Sequence, residues 1–240
     1  MNKLVTLLLV FLPLMAGAQD DIPSVSPTAS YITPSNEEID DASVSQSAPL
    51  QAHFYANPSN LGNYSARYEW KIWKEGSESD LLVHRFDEEV EYTFTESGSF
   101  QVQLYATFVL GNDTISYPSE EDTPILVSIS TSKLEFPNAI SPNGDGYNDV
   151  LRAKDTYQSI VSFQAAVFNR WGTKLYSWTD LAGGWDGTHG GRVVPDGVYF
   201  LVVSAKGADG RKYNIRKTIT LLTDRRTDNS SDGGTTGGDE

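Results

Sequence analysis

The chain has 240 residues, no cysteine and a formal net charge of −14 at pH 7. Its length allows one large or two small domains, and no disulfide can hold either of them. A chain this acidic repels phosphate backbones, which argues against a nucleic-acid-binding protein. Its 10 Phe, 12 Tyr and 5 Trp supply the large side chains that a core without disulfides needs.

The first 18 residues have the pattern of a secretory signal peptide. Lys3 gives a positive start, an apolar run extends from Leu4 to Met15, and a small-residue cleavage site ends at Ala18. The apolar run is too short to cross a membrane as a helix, so we expect an exported chain that is not an integral membrane protein. Residues 19–44, whose first part is rich in Ser and Pro, predict an extended lead-in.

Residues 45–131 show the spacing of a β-sandwich. Tyr68, Trp70 and Ile72 share one strand face by period-two alternation. Trp73 points to the opposite side from Trp70, so we expect one of these two rings in the core and the other partly exposed. Strands are predicted at 50–56, 66–73, 81–86, 90–94, 100–110, 114–117 and 125–129.

The domain boundary is predicted from a step in charge. Residues 19–133 hold 5 Lys and Arg against 19 Asp and Glu, whereas residues 134–223 hold 10 against 8. Two hairpins are predicted in the region 134–222, from strands at 161–169 and 173–178 and at 198–206 and 211–222. The predicted fold is therefore all-β, with two tandem immunoglobulin-like β-sandwiches. The acidic tail, 223–240, has no large apolar residue and is predicted to be disordered.

Five ordered blocks of the region 134–222 resemble a known family. They are Phe136-Pro137-Asn138, Ser141–Asp149, Phe168–Gly172, Trp185-Asp186-Gly187 and Pro195–Tyr199. The region resembles the type B, or gliding-motility-associated, C-terminal domain of the Bacteroidetes type IX secretion system. This resemblance implies a β-sandwich that has the secretion machinery as its partner and is carried through the outer membrane. The motif residues that it implies are Phe136, Asn143, Asp145, Asn148, Asp149, Arg170, Trp171, Gly172, Trp185, Asp186, Gly187, Asp196, Gly197 and Tyr199.

Residues 45–131 resemble a PKD-type immunoglobulin-like domain. The matching pieces are Tyr68-Glu69-Trp70, Tyr92-Thr93-Phe94 and the segment 97–104. The acidic Gly turn that usually follows the tryptophan in this family is replaced here by residues 71–74. The fold is therefore expected to carry over, whereas a ligand role for that turn is not.

The loop 143–149 allows two interpretations. Asn143, Asp145, Tyr147 and Asp149 alternate in a Gly-rich stretch, which is the kind of oxygen-ligand spacing that calcium loops use. Position 154, where a Glu would complete an EF-hand, is Lys154. We favour the alternative, a hydrogen-bonded Asx and Asp-Gly turn, and calcium is the one cofactor that the sequence suggests.

No pattern in the chain indicates an enzyme. His53, His84 and His189 lack the spacing of metal ligands, and there is no nucleophile motif. Trp171 and Trp185 could form a platform for a ligand, but we favour packing in the core, because a sandwich of this size needs one or two large aromatic residues there. We therefore expect a non-enzymatic PKD-like module, carried to the cell surface or the medium and open to a glycan or protein ligand there.

The alternative is an accessory or signalling component of the secretion machinery, retained in the periplasm or at the outer membrane. Two features favour it: the region before the C-terminal domain is small, and 18 residues follow Leu222. In the family that the C-terminal region resembles, the domain usually ends the chain.

Overall fold

The computed structural model describes residues 22–118 and 122–223, and every regular element in these ranges is a β-strand. The predicted all-β class is confirmed. The described ranges accordingly hold no helix long and apolar enough to cross a membrane. The predicted signal peptide, residues 1–18, and the predicted tail beyond Thr223 lie outside the described residues.

The first unit is a sandwich of two sheets. One sheet has the order β3-β2-β4-β8, and the other has the order β10-β9-β6-β7 with β11 also pairing with β9. The short strands β1 and β5 pair separately. The strands are β1 (Ser24–Val25), β2 (Thr28–Ile32), β3 (Glu38–Ile39), β4 (Leu50–Tyr55), β5 (Pro58–Ser59), β6 (Ser65–Lys74), β7 (Leu81–Arg85), β8 (Glu89–Phe94), β9 (Gly98–Leu110), β10 (Asp113–Tyr117) and β11 (Ile125–Ile129).

Aromatic rings fill the space between these two sheets. Phe54 of β4 and Trp70 of β6 are both fully buried, with ring centroids 5.8 Å apart. Trp73 is also buried, at 7 % exposure, so the prediction that one of the two tryptophans is partly exposed is wrong. The pairing of β6 with β7 shifts register between Ile72 and Trp73. Such an irregularity re-aims side chains, so that two consecutive residues can both be covered.

The predicted extended lead-in, 19–44, is corrected by the structure. Strand β2 lies in the first unit's sheet between β3 and β4, so this sheet of the sandwich begins at Thr28 rather than after residue 45. Tyr31 is 1 % exposed and meets Phe54 edge to face at 6.2 Å. This segment is polar because few of its side chains enter the core. Its strand conformation is set by pairing with β4, which local composition does not reveal.

The second unit is built on one five-stranded sheet with the order β12-β18-β17-β13-β14, next to the small pair β15-β16. Both predicted hairpins are present, as β13-β14 and β17-β18. One face of the sheet is covered by loops that contribute Phe136, Leu151 and Trp185 to the core. The strands are β12 (Ala139–Ile140), β13 (Ile160–Phe168), β14 (Lys174–Trp178), β15 (Thr188–His189), β16 (Arg192–Val193), β17 (Gly197–Gly207) and β18 (Lys212–Leu221).

The two units pack against each other through the loop between β17 and β18. Ala208 of this loop is 8 % exposed and belongs to the core of the first unit. Its carbonyl accepts the Ser97 N–H at 3.1 Å, and the Ser97 hydroxyl donates to the Ser130 carbonyl at 2.7 Å. The hydroxyl of Ser159 lies 2.7 Å from that of Ser130 and accepts the Ala48 N–H at 3.1 Å. The boundary predicted from the charge step is therefore a packed junction.

Candidate functional site

Trp185 is the centre of the second unit's core. Its side chain is fully buried, its indole N–H donates to the Thr188 carbonyl at 2.8 Å, and its ring meets Tyr199 edge to face at 5.3 Å. Its backbone exchanges two hydrogen bonds with Leu151, of 2.8 and 3.0 Å. The predicted core position of Trp185 is confirmed. Phe136, another motif residue, is buried in the same cluster and stacks on Phe163 at 6.2 Å.

The turn after Trp185 explains the residues Asp186 and Gly187. The Asp186 carboxylate accepts the Thr188 N–H at 2.9 Å and the Thr188 hydroxyl at 2.7 Å, which closes an Asx turn. Gly187 has a φ of +78°. A Cβ atom there would lie 2.8 Å from Cγ of Pro142 and 3.1 Å from Cδ1 of Leu221. Backbone conformation and close packing therefore both require glycine at this position.

The loop 143–149 is closed by its own backbone. One oxygen of Asp149 accepts the N–H groups of Asn143 and Gly144 at 2.9 and 2.8 Å, and the other accepts the Gly146 N–H at 2.8 Å. These three bonds favour the charged form, so they hold the pKa of Asp149 below its usual range, with Gly144 contributing most. The main role of this carboxylate in the structure is to fix the loop.

The other proposed calcium ligands take part in the same local network. The Asp145 carboxylate accepts the Tyr147 N–H at 2.8 Å, and the Asn143 side-chain oxygen accepts the Asp145 N–H at 3.0 Å. Asn148 has a φ of +54°, and its carbonyl accepts the Ser141 N–H at 2.8 Å. In the part of the chain that the structure describes, no group of three or more His, Asp or Glu is placed to hold a metal ion. The bonds are those of a hydrogen-bonded turn.

Replacing Asp149 with Asn tests the turn directly. The carboxylate contribution is present above the ordinary Asp pKa of about 3.9 and is lost as pH falls through the lower pKa of the folded state. We expect Asp149→Asn to lower the melting temperature at neutral pH. We also expect the melting temperature of this variant to drop less than that of the wild type as the pH is lowered from about 4 to about 2. Melting curves with calcium and with chelator complete the test. A calcium-dependent rise in the wild type, absent from Asp149→Asn, would establish the calcium interpretation instead.

The hairpin turn between β13 and β14 presents an exposed aromatic residue. The Asn169 side chain accepts the N–H groups of Trp171 and Thr173 at 3.0 and 2.9 Å, and Gly172 has a φ of +79°. Trp171 is 74 % exposed, with the guanidinium of Arg170 stacked 4.3 Å from the centre of its ring system. The prediction that Trp171 packs in the core is wrong, because this residue stands at the tip of a tight turn where the described residues leave its ring largely exposed.

A groove of about 360 Å³ lies between this turn and the start of β17. Its wall includes Arg170, Trp171, His189, Asp196 and Tyr199. The Tyr199 hydroxyl donates to the Pro195 carbonyl at 2.7 Å, while burial and the nearby Asp196 charge raise the pKa of Tyr199.

Asp196 also closes the far end of the unit, because its carboxylate accepts the N–H and the hydroxyl of Thr223 at 3.0 and 2.6 Å. The groove wall carries the cationic Arg170 and the exposed ring of Trp171, so the groove is suited to binding another molecule. His189 was missed from sequence, where it was treated as a lone histidine, because only the β15–β16 hairpin brings it here.

Residues 134–221 match the family model for the CHU_C type IX secretion signal domain. The chain therefore carries a type IX secretion signal domain, as the sequence resemblance predicted. Such a domain implies interaction with the type IX secretion machinery and indicates export to the cell surface or the medium.

Among solved structures, the chain has a likeness to the crystal structure of DIP-gamma IG1+IG2. The two share 10 % sequence identity, the match covers 85 % of this chain and 98 % of that one, and the TM-score is 0.24. The all-β fold is shown by the strands and the two cores themselves. No curated protein matches the chain.

Proposed function

We propose that this chain is a non-enzymatic exported protein, in which the second unit directs a PKD-like first unit to the cell surface or the medium. The observation that carries the proposal is the match of residues 134–221 to the type IX secretion signal domain. Three motif carboxylates of that unit have a structural role, which supports a non-enzymatic function. Asp149, Asp186 and Asp196 each use a carboxylate oxygen to hold a backbone N–H, so their hydrogen bonds serve the fold.

The groove beside Trp171 is the recognition surface that we propose for the secretion machinery. Large aromatic residues and arginine carry much of the binding energy at protein interfaces, because they combine apolar area with charge. Here the Arg170 guanidinium already stacks on the exposed Trp171 ring. Since the ring is not part of the core, binding can be removed without unfolding the domain.

Replacing Trp171 with Ala in the full chain tests this recognition surface. We expect the variant to melt as the wild type does but to lose at least about tenfold of its surface or medium fraction, in keeping with the loss of one interface hot spot. Cell fractionation with an antibody to the first unit measures this. Val193→Ala, a change at an exposed apolar residue of β16, is the matched control. Unchanged export of Trp171→Ala would rule out this groove as the recognition surface.

A second candidate function is that of an accessory or signalling component of the secretion machinery, retained in the periplasm or at the outer membrane. The packed junction favours this function. Ala208 of the signal domain lies in the core of the first unit, whereas a signal domain that serves only for sorting could be joined to its cargo by an open linker. Fractionation of wild-type cells against a strain without type IX secretion separates the two. Exported cargo leaves the surface fraction only in the mutant, whereas a retained component stays in the same fraction in both.

A further inference from the structure

One edge of the second unit's sheet is unpaired along most of its length. Strand β18 pairs with β17 over all ten of its residues. On its other side only Thr220 and Leu221 are paired, with β12. From Lys212 to Ile219 no described strand lies against that side. An unpaired edge presents backbone N–H and C=O groups to any extended chain that approaches it.

The alternation of the strand identifies which groups point outward. The N–H groups of Thr220 and Leu222 point away from β17 and donate to carbonyls of the preceding segment, at 2.9 and 3.1 Å. In an antiparallel pair this direction repeats every second residue, so Asn214, Arg216 and Thr218 also point outward. None of these three N–H groups has an acceptor within the described ranges. Donors on alternate residues are what an added strand uses.

Two of the outward side chains along this edge are positively charged. Lys212 and Arg216 are exposed, and neither forms an ion pair within residues 22–118 and 122–223. The even-numbered residues of β17 and β18, and those of β13 from Ser162 onward, face outward and include no Asp or Glu. On the same face Val198, Phe200 and Val202 are 39–49 % exposed. Cations on an edge discourage unselective pairing, and cations of one sign select a segment that carries carboxylates.

We propose that the edge of β18 from Asn214 to Thr218 binds an extended, acidic segment of a partner protein by strand addition. The three outward N–H groups fix the added strand, and carboxylates on its alternate residues lie beside Lys212 and Arg216. A second copy of this edge is a poor occupant, since it carries the same cations. The proposal holds whatever route exports the chain, so it goes beyond the proposed function.

The test uses the purified full chain and a short blocked peptide of alternating Glu and Thr. We expect this peptide to bind, in fluorescence anisotropy, at least about tenfold more tightly than its Lys and Thr counterpart, since the charge contacts change sign. We also expect binding to slow hydrogen exchange at the amides of Asn214, Arg216 and Thr218. Absent binding, equal affinity for both peptides, or binding without this protection would each overturn the proposal. So would self-association through the edge, seen as a doubled mass in light scattering.

Two substitutions at the edge and one control complete the experiment. Thr218→Pro removes one outward N–H without touching the bonds to β17, as proline is tolerated at the solvent side of an edge strand. Arg216→Glu reverses one charge. We expect each substitution to weaken binding of the acidic peptide at least about tenfold, while the melting temperature of the protein stays near the wild-type value. Arg192→Glu makes the same charge change in β16 and should bind normally. If Arg192→Glu weakens peptide binding as much as Arg216→Glu does, the effect comes from the net charge of the protein and not from the β18 edge. That result would overturn the proposed site, whatever the export assay shows.

Discussion

Replacing Trp185 with Ala should unfold the second unit or leave it close to unfolding. The indole is fully buried, and it packs on Tyr199. Truncating a buried Trp to Ala costs about 3–5 kcal/mol, and the Thr188 carbonyl loses its indole donor as well. A domain of this size has a net stability of about 5–15 kcal/mol, so a large part of the margin is removed. Chemical denaturation of the full chain, followed by Tyr and Trp fluorescence and by circular dichroism, measures the loss.

The matched control is Trp171→Ala, which removes the same side chain from an exposed position. Surface changes of this kind alter stability by about 0.5 kcal/mol or less. We therefore expect a large difference between the two variants in unfolding free energy, although both lose one tryptophan. A Trp185→Ala protein with wild-type stability would contradict the central position of this ring. Comparing the export of the two variants also separates loss of folding from loss of recognition.

Ending the chain after Lys206 should abolish the folded second unit. This truncation removes β18, which pairs with β17 at ten positions and buries Ile219 and Leu221 completely. Each of these side chains contributes about 1.5–3 kcal/mol through burial alone. The central strand β17 would lose its partner on one side. The first unit would lose Ala208 from its core but keep both of its sheets. We expect complete loss of export and rapid proteolysis of the region after residue 131.

Ending the chain after Thr223 is the control for that truncation. It keeps β18 and also keeps the two hydrogen bonds from Thr223 to Asp196. We expect wild-type melting and protease resistance. If cells export this shortened protein normally, the tail is not needed for cargo sorting. If the shortened protein folds but secretion of other proteins falls, the retained-component function is the better explanation. Wild-type folding of the chain that ends at Lys206 would show that β18 is dispensable to the sheet.

The sequence by itself determined the all-β class, the main strands and the two hairpins. Strands with one buried face, such as β9 and β17, can be predicted from sequence because their side chains alternate between core and solvent. The turns were equally clear, since Asp186 and Gly187 occupy a position that requires an Asx acceptor and a positive φ. The secretion signal domain was predicted from the resemblance of the blocks between Phe136 and Tyr199 to a known family, and the family model matches the same region.

Only the tertiary structure decided features that depend on contacts between distant segments. The sequence of β2 resembles a polar lead-in, and only its pairing with β4 makes it a strand of the sheet. Trp73 is buried through an irregularity in the pairing of β6 with β7. Trp171 has a large aromatic side chain of the kind that usually packs in a core, yet its position at a hairpin tip leaves it exposed to solvent. Ala208 enters the core of the other unit because the β17–β18 loop reaches across the junction. Alternation and turn signals act over a few residues, whereas burial is set by segments far apart in the chain.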